Sequence, residues 1–310
     1  MSVFAPLRPY AALLAVLAGL LVLFGTLSDY FLTPITLRTL AGQIPPLVVV
    51  SVGMTFVLII AGIDLSVGAV VGLSSAVLGV LLLQAGWPLP LSIAGAMLAG
   101  AGCGAINGLV SVRWRIPSFI VTLGMLEMAR GGAYLVTNSQ TQYAGTSAQA
   151  LSATVLGLPL SFWMAAVVVV LAQITLTRTV FGRHMLATGS NREATRLAGV
   201  QPGRIEFMVF VIAGLLSALG GVFQVGYLGS ADPNAGIGME LAAIAAVVIG
   251  GTSLMGGQGS VVATFLGVLI IAVLQLGLAQ LGVSEPLKRV VTGGVIVLAV
   301  IADVYRRKQA

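Results

Sequence analysis

The run VVVSVGMTFVLIIAGIDLSVGAVVGLSSAVLGVLLL at residues 48–83 decides the fold class of this chain. Its only charged residue is Asp64, and the apolar residues on either side extend over about 44–61 and 65–85. Each flank is close to the roughly 20 apolar residues that an α-helix needs to cross a bilayer. The run therefore predicts two membrane-spanning helices separated by a short break at Asp64.

Similar apolar runs recur along the whole chain. Of its 310 residues, 58 % are hydrophobic and 8 % are charged, and the mean hydropathy is +1.08, whereas an ordinary soluble domain has about 25 % charged residues. Ten spans of roughly 20 residues leave too little chain for a catalytic soluble domain. We predict an all-α, polytopic membrane protein with one transmembrane domain over 1–310. The predicted spans are 10–28, 44–61, 65–85, 89–112, 117–136, 161–177, 207–228, 241–256, 260–280 and 289–304.

The basic residues predict how these spans are oriented. With the N-terminus inside, eleven of the fifteen Lys and Arg residues lie in cytoplasmic segments: Arg8, Arg113, Arg115, Arg178, Arg183, Arg192, Arg196, Arg204, Arg306, Arg307 and Lys308. The outer side holds only Arg38, Lys288 and Arg289, which satisfies the positive-inside rule. Both termini are therefore predicted to be cytoplasmic. The net charge of +6 indicates orientation in a lipid bilayer, not binding to nucleic acid. Snorkelling to the interface would account for Lys288 and Arg289 at the outer end of the last span.

The inventory of reactive side chains argues against an enzyme. One cysteine, Cys103, and one histidine, His184, exclude an intramolecular disulfide and a Cys- or His-rich metal site. The glycine-rich stretch GGTSLMGGQG at 250–259 lacks the Lys-Ser/Thr ending that grips phosphates, so we read it as a structural turn. We expect no cofactor and no metal.

Glycines recur at helical spacing in two spans. Gly100, Gly104 and Gly108 share one face of their helix, as do Gly68 and Gly72, and small residues at this spacing let membrane helices approach closely. A loose internal similarity between the segments from Ala61 and from Gly250 places Asp64 and Thr252 at corresponding breaks. These faces predict tight helix packing.

Polar residues inside the spans are the candidates for a substrate pathway, because polar groups at membrane depth are costly. Asp64, with Ser66 assisting, either caps the following helix or contacts the substrate, and Asn107 either joins helices or contacts the substrate. Gln173, Gln224 and Gln275 are open to the same two readings.

Glu127 and Arg130 form a second candidate pair. They are three residues apart and therefore neighbours on one helix face. Mutual neutralisation is the first reading, and direct contact with the substrate is the alternative.

The longest basic segment lies between the sixth and seventh spans, within 178–206. Asn191 can cap a short helix over about 191–198, which Gly199 and Pro202 would end. Taken alone, this segment reads as a basic anchor on anionic lipid headgroups.

Four long motifs resemble the permease subunits of bacterial ATP-binding-cassette (ABC) importers for monosaccharides, in the ribose-type branch. They are VGMTFVLIIAGIDLSVGAVVGL at 52–73, IPSFIVTLGMLEMARGGAYL at 116–135, FGRHMLATGSNREATRLAGV at 181–200 and IGMELAAIAAVVIGGTSLMGGQGSVVATFLGVLI at 237–270. The resemblance covers nearly the whole chain. Two positions depart from the family pattern: Ala242, where an acid is expected, and Glu127, where an apolar residue is usual.

The resemblance implies a pathway subunit in the inner membrane that works with partners. These are a second permease, identical or paralogous, two cytoplasmic ABC ATPase domains and a periplasmic sugar-binding protein. It also gives the basic segment a second reading, because Glu193-Ala194 followed by Gly199 is similar to the EAA-type coupling motif. In that reading a short helix capped by Asn191 docks in an ATPase groove, where Glu193 can pair with a basic partner. The flanking arginines are Arg183, Arg192 and Arg196.

The resulting functional prediction is a permease that moves a monosaccharide inward while a separate ATPase hydrolyses ATP. The alternative from another class is a secondary transporter driven by an ion gradient, for which Asp64 and Glu127 are the only candidate coupling carboxylates. Stretches WPLPL at 87–91 and YLGSA at 227–231 are similar to relatives that carry autoinducer-2 and deoxysugars, so those substrates stay open.

Overall fold

The computed structural model describes residues 10–308, and within that range the chain is built almost entirely from helices. The α-helices are α1 (Ala11–Leu27), α2 (Pro34–Ile59), α3 (Val67–Gly79), α4 (Leu89–Trp114), α5 (Ser118–Thr137), α6 (Leu160–Arg178), α7 (Val180–Ser190), α8 (Arg192–Leu197), α9 (Pro202–Leu228), α10 (Met239–Ile249), α11 (Val261–Gln280) and α12 (Glu285–Lys308). A π-helical turn, Val80–Gln84, continues α3. Arg8, one of the basic residues predicted to be cytoplasmic, lies outside the described residues.

Every predicted apolar run coincides with a helix, but the prediction of ten spans holds only in part. Seven helices are long and apolar enough to cross a membrane by length and composition: α2, α3 with its π-helical continuation, α4, α5, α6, α9 and α11. Helices α1 and α10 are apolar but shorter. The run predicted over 241–256 ends as a helix at Ile249, because the glycine-rich turn follows. The chain is thus an all-α, multi-pass membrane protein.

Helix α2 begins ten residues earlier than the predicted start at 44. Pro34 occupies its first position, where proline needs no amide hydrogen bond, and the Thr33 side chain accepts from the Thr36 backbone N–H. Pro45 and Pro46 lie inside the helix without ending it. The first ten residues of α2 include polar residues such as Arg38, so a search for apolar runs did not detect this part of the helix.

Helix α2 is the centre of the bundle. About nine-tenths of its most apolar window is buried, and it contacts α6, α9, α10 and α11. Its last turn, with Ile59, joins the main apolar cluster together with Val209 and Phe210 of α9. A helix that is apolar all round and buried in this way is shielded from lipid as well as from water.

The predicted glycine face of α4 is confirmed as a packing surface against α9. A Cβ atom at Gly100 would lie 2.5 Å from the Gly214 carbonyl oxygen, and one at Gly108 would lie 3.0 Å from the Phe207 Cα atom. Gly104 lies equally close to the Phe210 backbone. The two helix backbones therefore approach more closely than any larger residue would permit. Cys103, also on α4, is buried in a separate apolar cluster with residues of α3 and α5, as expected for a packing residue.

Residues 137–160, between α5 and α6, contain small pieces of regular structure. Strand β1 (Gln142–Tyr143) pairs with β4 (Ser230–Ala231), and β2 (Thr154–Val155) pairs with β3 (Leu158–Pro159), both antiparallel. A 3-10 helix, Gly145–Ser152, lies between them and contacts α9.

The segment 178–206 contains two helices, whereas the sequence predicted one. The additional helix, α7, is capped by Thr179, whose side chain accepts from the Gly182 backbone N–H, and it buries Met185. Near its end, Gly189 lies against the Ile59 carbonyl oxygen so closely that any side chain would clash. The Gly257 backbone N–H, from the glycine-rich turn, donates to that same oxygen at 2.8 Å. The turn therefore has the structural role predicted for it.

Candidate functional site

The break between α2 and α3 holds a buried polar network. Asp64 Oδ1 accepts from the Ser66 backbone N–H at 2.9 Å and from Ser66 Oγ at 2.6 Å. Asn107 Nδ2, from α4, donates to Ser66 Oγ at 2.9 Å. The three residues are at most 2 % exposed. The structure thus brings together Asp64, Ser66 and Asn107, which the sequence singled out separately.

Side chains from α5 hold the backbone of the same break. Ser118 Oγ accepts from the Ile63 backbone N–H at 2.9 Å, and Thr122 Oγ1 accepts from the Leu65 backbone N–H at 3.1 Å. Since buried backbone groups are costly when unpaired, these hydroxyls satisfy a segment that no helix covers. Polar contacts with α4 and α5 therefore hold the break in place. The sequence did not predict the contacts with α5.

The predicted mutual neutralisation of Glu127 and Arg130 is wrong. Arg130 Nη1 donates to the Pro233 carbonyl oxygen at 2.7 Å and to the Ala235 carbonyl oxygen at 2.9 Å. Its side chain therefore turns inward and holds the loop before α10. Glu127 lies on the exposed face of α5 and forms no ion pair with any residue that the structure describes.

A cavity of about 500 Å³ lies between α2, α9, α10, α11 and α12. Gln224 and Gln275 line it, together with Gln43, Ala242 and Thr292. Lys288 and Arg289 also line this cavity, and Lys288 forms an ion pair with Glu285 at 2.5 Å. Because α12 begins at Glu285, both basic residues belong to its first turns, and both border this cavity.

The predicted role of glutamines as links between helices holds only for Gln173. Its Oε1 accepts from the backbone N–H groups of Val261 and Val262, at 2.9 Å and 3.3 Å, and so satisfies the start of α11. Gln224 and Gln275 make no side-chain hydrogen bond with any described residue.

The short helix α8 forms as the sequence predicted. The Asn191 side chain accepts from the Ala194 backbone N–H at 2.9 Å, as an N-cap does. Gly199 has φ +86°, the left-handed conformation that ends helices. Leu197 is 75 % exposed, and Glu193 and Ala194 also face solvent. The helix thus presents a small, partly apolar surface beyond the bundle.

The charged residues on α8 itself are all paired. Arg196 Nε donates to Glu193 Oε2 at 3.0 Å, and Arg192 Nε donates to Glu206 Oε1 at 2.7 Å. The hydrogen bond from Arg196 lowers the pKa of Glu193 below its ordinary value. This differs from the expectation that Glu193 waits for a basic partner, because Arg196 already supplies the charge.

A basic groove of about 700 Å³ lies beside α8. Its walls include the apolar residues Val112 and Phe207, and five arginines surround it: Arg113, Arg115, Arg192, Arg196 and Arg204. Arg183 is exposed on α7 and lies outside this groove. Within residues 10–308, no cluster of three or more His, Cys, Asp or Glu side chains could hold a metal ion.

The geometry defines a class of protein: a multi-pass helical membrane protein with a cavity between its helices and a short, exposed helix at one end of the bundle. Residues 36–300 match the family described as branched-chain amino acid transport system / permease component. The chain belongs to this family of ABC-transporter permeases of the bacterial inner membrane. It is therefore a transport subunit and not an enzyme.

Individual relatives resemble nearly the whole chain. The ribose import permease protein RbsC of Escherichia coli (strain K12) is 38 % identical over 94 % of this chain and 92 % of its own length. The L-arabinose ABC transporter permease protein AraH of Azospirillum brasilense is 37 % identical, over 93 % and 86 % respectively. The fructose import permease protein FrcC of Rhizobium meliloti is 35 % identical, over 97 % and 87 %. No solved structure matches the chain.

Proposed function

We propose that this chain is the membrane-spanning subunit of an ABC importer and that it forms the pathway for a monosaccharide. The observation that carries this proposal is the identity of 35–38 %, over more than nine-tenths of the chain, to permeases named for ribose, L-arabinose and fructose. An importer of this kind uses a cytoplasmic ATPase and a periplasmic binding protein as separate partners.

Uptake by intact cells tests the substrate class. Cells without their own pentose and hexose importers would express the chain with its ATPase and binding protein, and accumulation of labelled D-ribose, L-arabinose, D-fructose and D-allose would be compared with cells lacking only this chain. Chain-dependent accumulation of at least one sugar supports the proposal. Chain-dependent uptake of autoinducer-2 with none of the four sugars would contradict it.

We infer further that ten spans cross the membrane with both termini in the cytoplasm. The support is that each predicted run is helical and that the exposed arginines around α8 gather at one end of the bundle. Labelling needs exposed positions, and Thr188 of α7 is too buried to serve. Tyr143→Cys and Leu197→Cys, whose parent side chains are 80 % and 75 % exposed, should separate the two sides in a Cys103→Ser background. An impermeant thiol reagent added to intact cells should modify only the first.

We propose that α8 is the coupling helix and that segment 178–206 is the contact with the ATPase. Support comes from the exposure of Ala194 and Leu197 on a helix that is capped by Asn191 and ended by Gly199. Since Glu193 and Arg196 neutralise each other, the exposed surface of α8 is small, partly apolar and balanced in charge. Such a surface suits a groove on the ATPase. If the segment is instead an anchor on anionic lipid, substitution of Ala194 should leave ATPase binding unchanged.

The exposed face of α5 supports a second permease subunit, identical or paralogous, as a partner. Glu127 lies near the middle of this helix on its outward face, and a carboxylate at membrane depth is expensive to leave in lipid. Gly124 and Gly131 lie on the same face, with open space where a Cβ would be. Small residues on an open face permit close approach of another membrane helix. We propose that the second permease covers this face.

For Asp64, Ser66 and Asn107 we propose a supporting role beside the pathway. All three are buried, and Ser66 is bonded to both Asp64 and Asn107. These contacts fix the break before α3, while Asn107 Oδ1 has no hydrogen-bond partner among the described residues. In this proposal they hold the helices in place, and the sugar does not touch them.

A further inference from the structure

Three glutamines that share one cavity are without protein partners. Gln43 of α2, Gln224 of α9 and Gln275 of α11 all line the 500 Å³ cavity. None of their side chains makes a hydrogen bond with a described residue. Other glutamines in the bundle are paired: Gln173 accepts from two amides of α11, and Gln280 donates to Thr36 Oγ1 at 2.9 Å. Among the glutamines of the described α-helices, those whose side chains form no hydrogen bond therefore all line this one cavity.

The position of these glutamines makes exposure to lipid expensive. Gln43 follows the start of α2 by nine residues, which is roughly 13 Å along the helix. Gln275 and Gln224 precede the ends of their helices by five and four residues. The hydrogen bond from Gln280 to Thr36 joins these ends of α11 and α2, so the glutamines lie in the same half of the bundle. A polar side chain at such depth faces water, protein or a ligand.

The chemistry of the cavity suits a neutral, hydroxyl-rich ligand. Each amide offers a donor and an acceptor, and Thr292 adds a hydroxyl group. At the rim the charge of Lys288 is balanced by Glu285, while Arg289 forms no ion pair with a described residue and is free to donate to ligand oxygens. Met239 and Ile44 supply apolar surface. The volume lies within the usual range for small-ligand sites. A sugar has both the hydroxyl groups and the apolar faces that these walls would meet.

We propose that this cavity is a water-filled sugar site in the outer half of the pathway, where Gln43, Gln224 and Gln275 bind sugar hydroxyl groups. The inference rests on the proposed function for the identity of the ligand. It rests on the cavity and the unpaired amides for the location.

Two measurements on the assembled importer test this site. The first places Gln43→Cys or Gln275→Cys in a Cys103→Ser background and follows modification by a charged, impermeant thiol reagent added outside the cell. Leu98→Cys is the matched control, because Leu98 follows the start of its helix by nine residues and is 72 % exposed. The glutamine positions should react and position 98 should not. Equal lack of reaction at all three would overturn a water-filled cavity.

The second measurement is uptake of the sugar that the wild type carries. Gln43→Leu, Gln224→Leu and Gln275→Leu should each lower uptake by about tenfold, as expected when one good hydrogen bond to the ligand is lost. Gln84→Leu is the control, because Gln84 pairs with Gln142 outside the cavity. The amount of assembled complex is measured alongside.

The possible failures are distinguishable. If the wild type carries no sugar, the proposed function fails. If wild-type uptake is intact and the three Leu variants match it at equal amounts of complex, the sugar site alone is overturned.

Discussion

Asn107 on α4 and Ser66 at the start of α3 are joined by a hydrogen bond of 2.9 Å from Nδ2 to Oγ. Ser66 in turn donates to Asp64, so one chain of buried polar contacts connects α4 to the break after α2. Because the surroundings are apolar and inaccessible, removing one member leaves another unpaired. This relationship explains how a break can persist in the middle of a membrane bundle.

Asn107→Ala and Asp64→Ala are expected to destabilise the folded protein by about 1–3 kcal/mol each, the usual cost of leaving a buried polar partner unpaired. Thermal unfolding in detergent measures the loss, and Thr39→Ala is the control, because Thr39 is exposed and bonds only to its own helix. Uptake should fall in proportion to the amount of complex. A fully stable Asp64→Ala complex that transports nothing would show that Asp64 acts in the pathway itself.

Ala194→Trp is expected to disrupt binding of the ATPase, since a large side chain at a close contact costs about 1–3 kcal/mol. Gly199→Val should have a similar effect for a different reason. Nothing lies within 4 Å of Gly199, but its φ of +86° strains a β-branched residue. Co-purification of the ATPase measures both, with Gln142→Ala in strand β1 as control. Full retention of the ATPase and of uptake in both variants would favour the lipid anchor.

Glu193 is expected to stay ionised at a lower pH than an ordinary glutamate. Its pKa is lowered by the hydrogen bond from Arg196, so the ion pair supports α8 above the ordinary range of a glutamate. This support is lost only as the pH falls through the lowered pKa. Carboxyl carbon NMR of glutamate-labelled protein measures the titration, with Glu193→Gln for assignment. Arg196→Gln should raise the pKa of Glu193, and an unchanged titration would contradict the pairing.

Gly131→Leu is expected to weaken association of two permease subunits, because the added side chain would hold the α5 surface away from its partner. The molecular mass of the purified complex, or crosslinking between subunits, measures the effect. Gly19→Leu on α1 is the matched control, since Gly19 also has open space around it. If the Gly131→Leu variant still forms a normal pair of subunits, α5 is not part of the interface.

Features set by local sequence were predictable. The apolar runs located the helices, the glycine spacing in α4 indicated its contact with α9, and Asn191 and Gly199 marked the ends of α8. Each of these depends on residues within one or two helical turns of each other. The resemblance then supplied the class of transporter.

Features set by distant contacts were not predictable. Arg130 donates to carbonyl oxygens more than one hundred residues away in sequence. Its spacing of three residues from Glu127 therefore did not predict its partners. Helix α7 has a recognisable Thr179 cap, but its buried face is short and its polar residues suggested a loop. The cavity glutamines belong to three separate helices, and only the fold brings them together.

Transport into sealed vesicles tests the central claim most directly. The chain would be reconstituted with its partner ATPase and binding protein, and uptake of a labelled monosaccharide would be measured with and without ATP, and with and without a proton or sodium gradient. We predict uptake that requires ATP and is unchanged when the gradients are abolished. Uptake that follows an ion gradient and continues without ATP or the ATPase would contradict the assignment as an ABC importer permease.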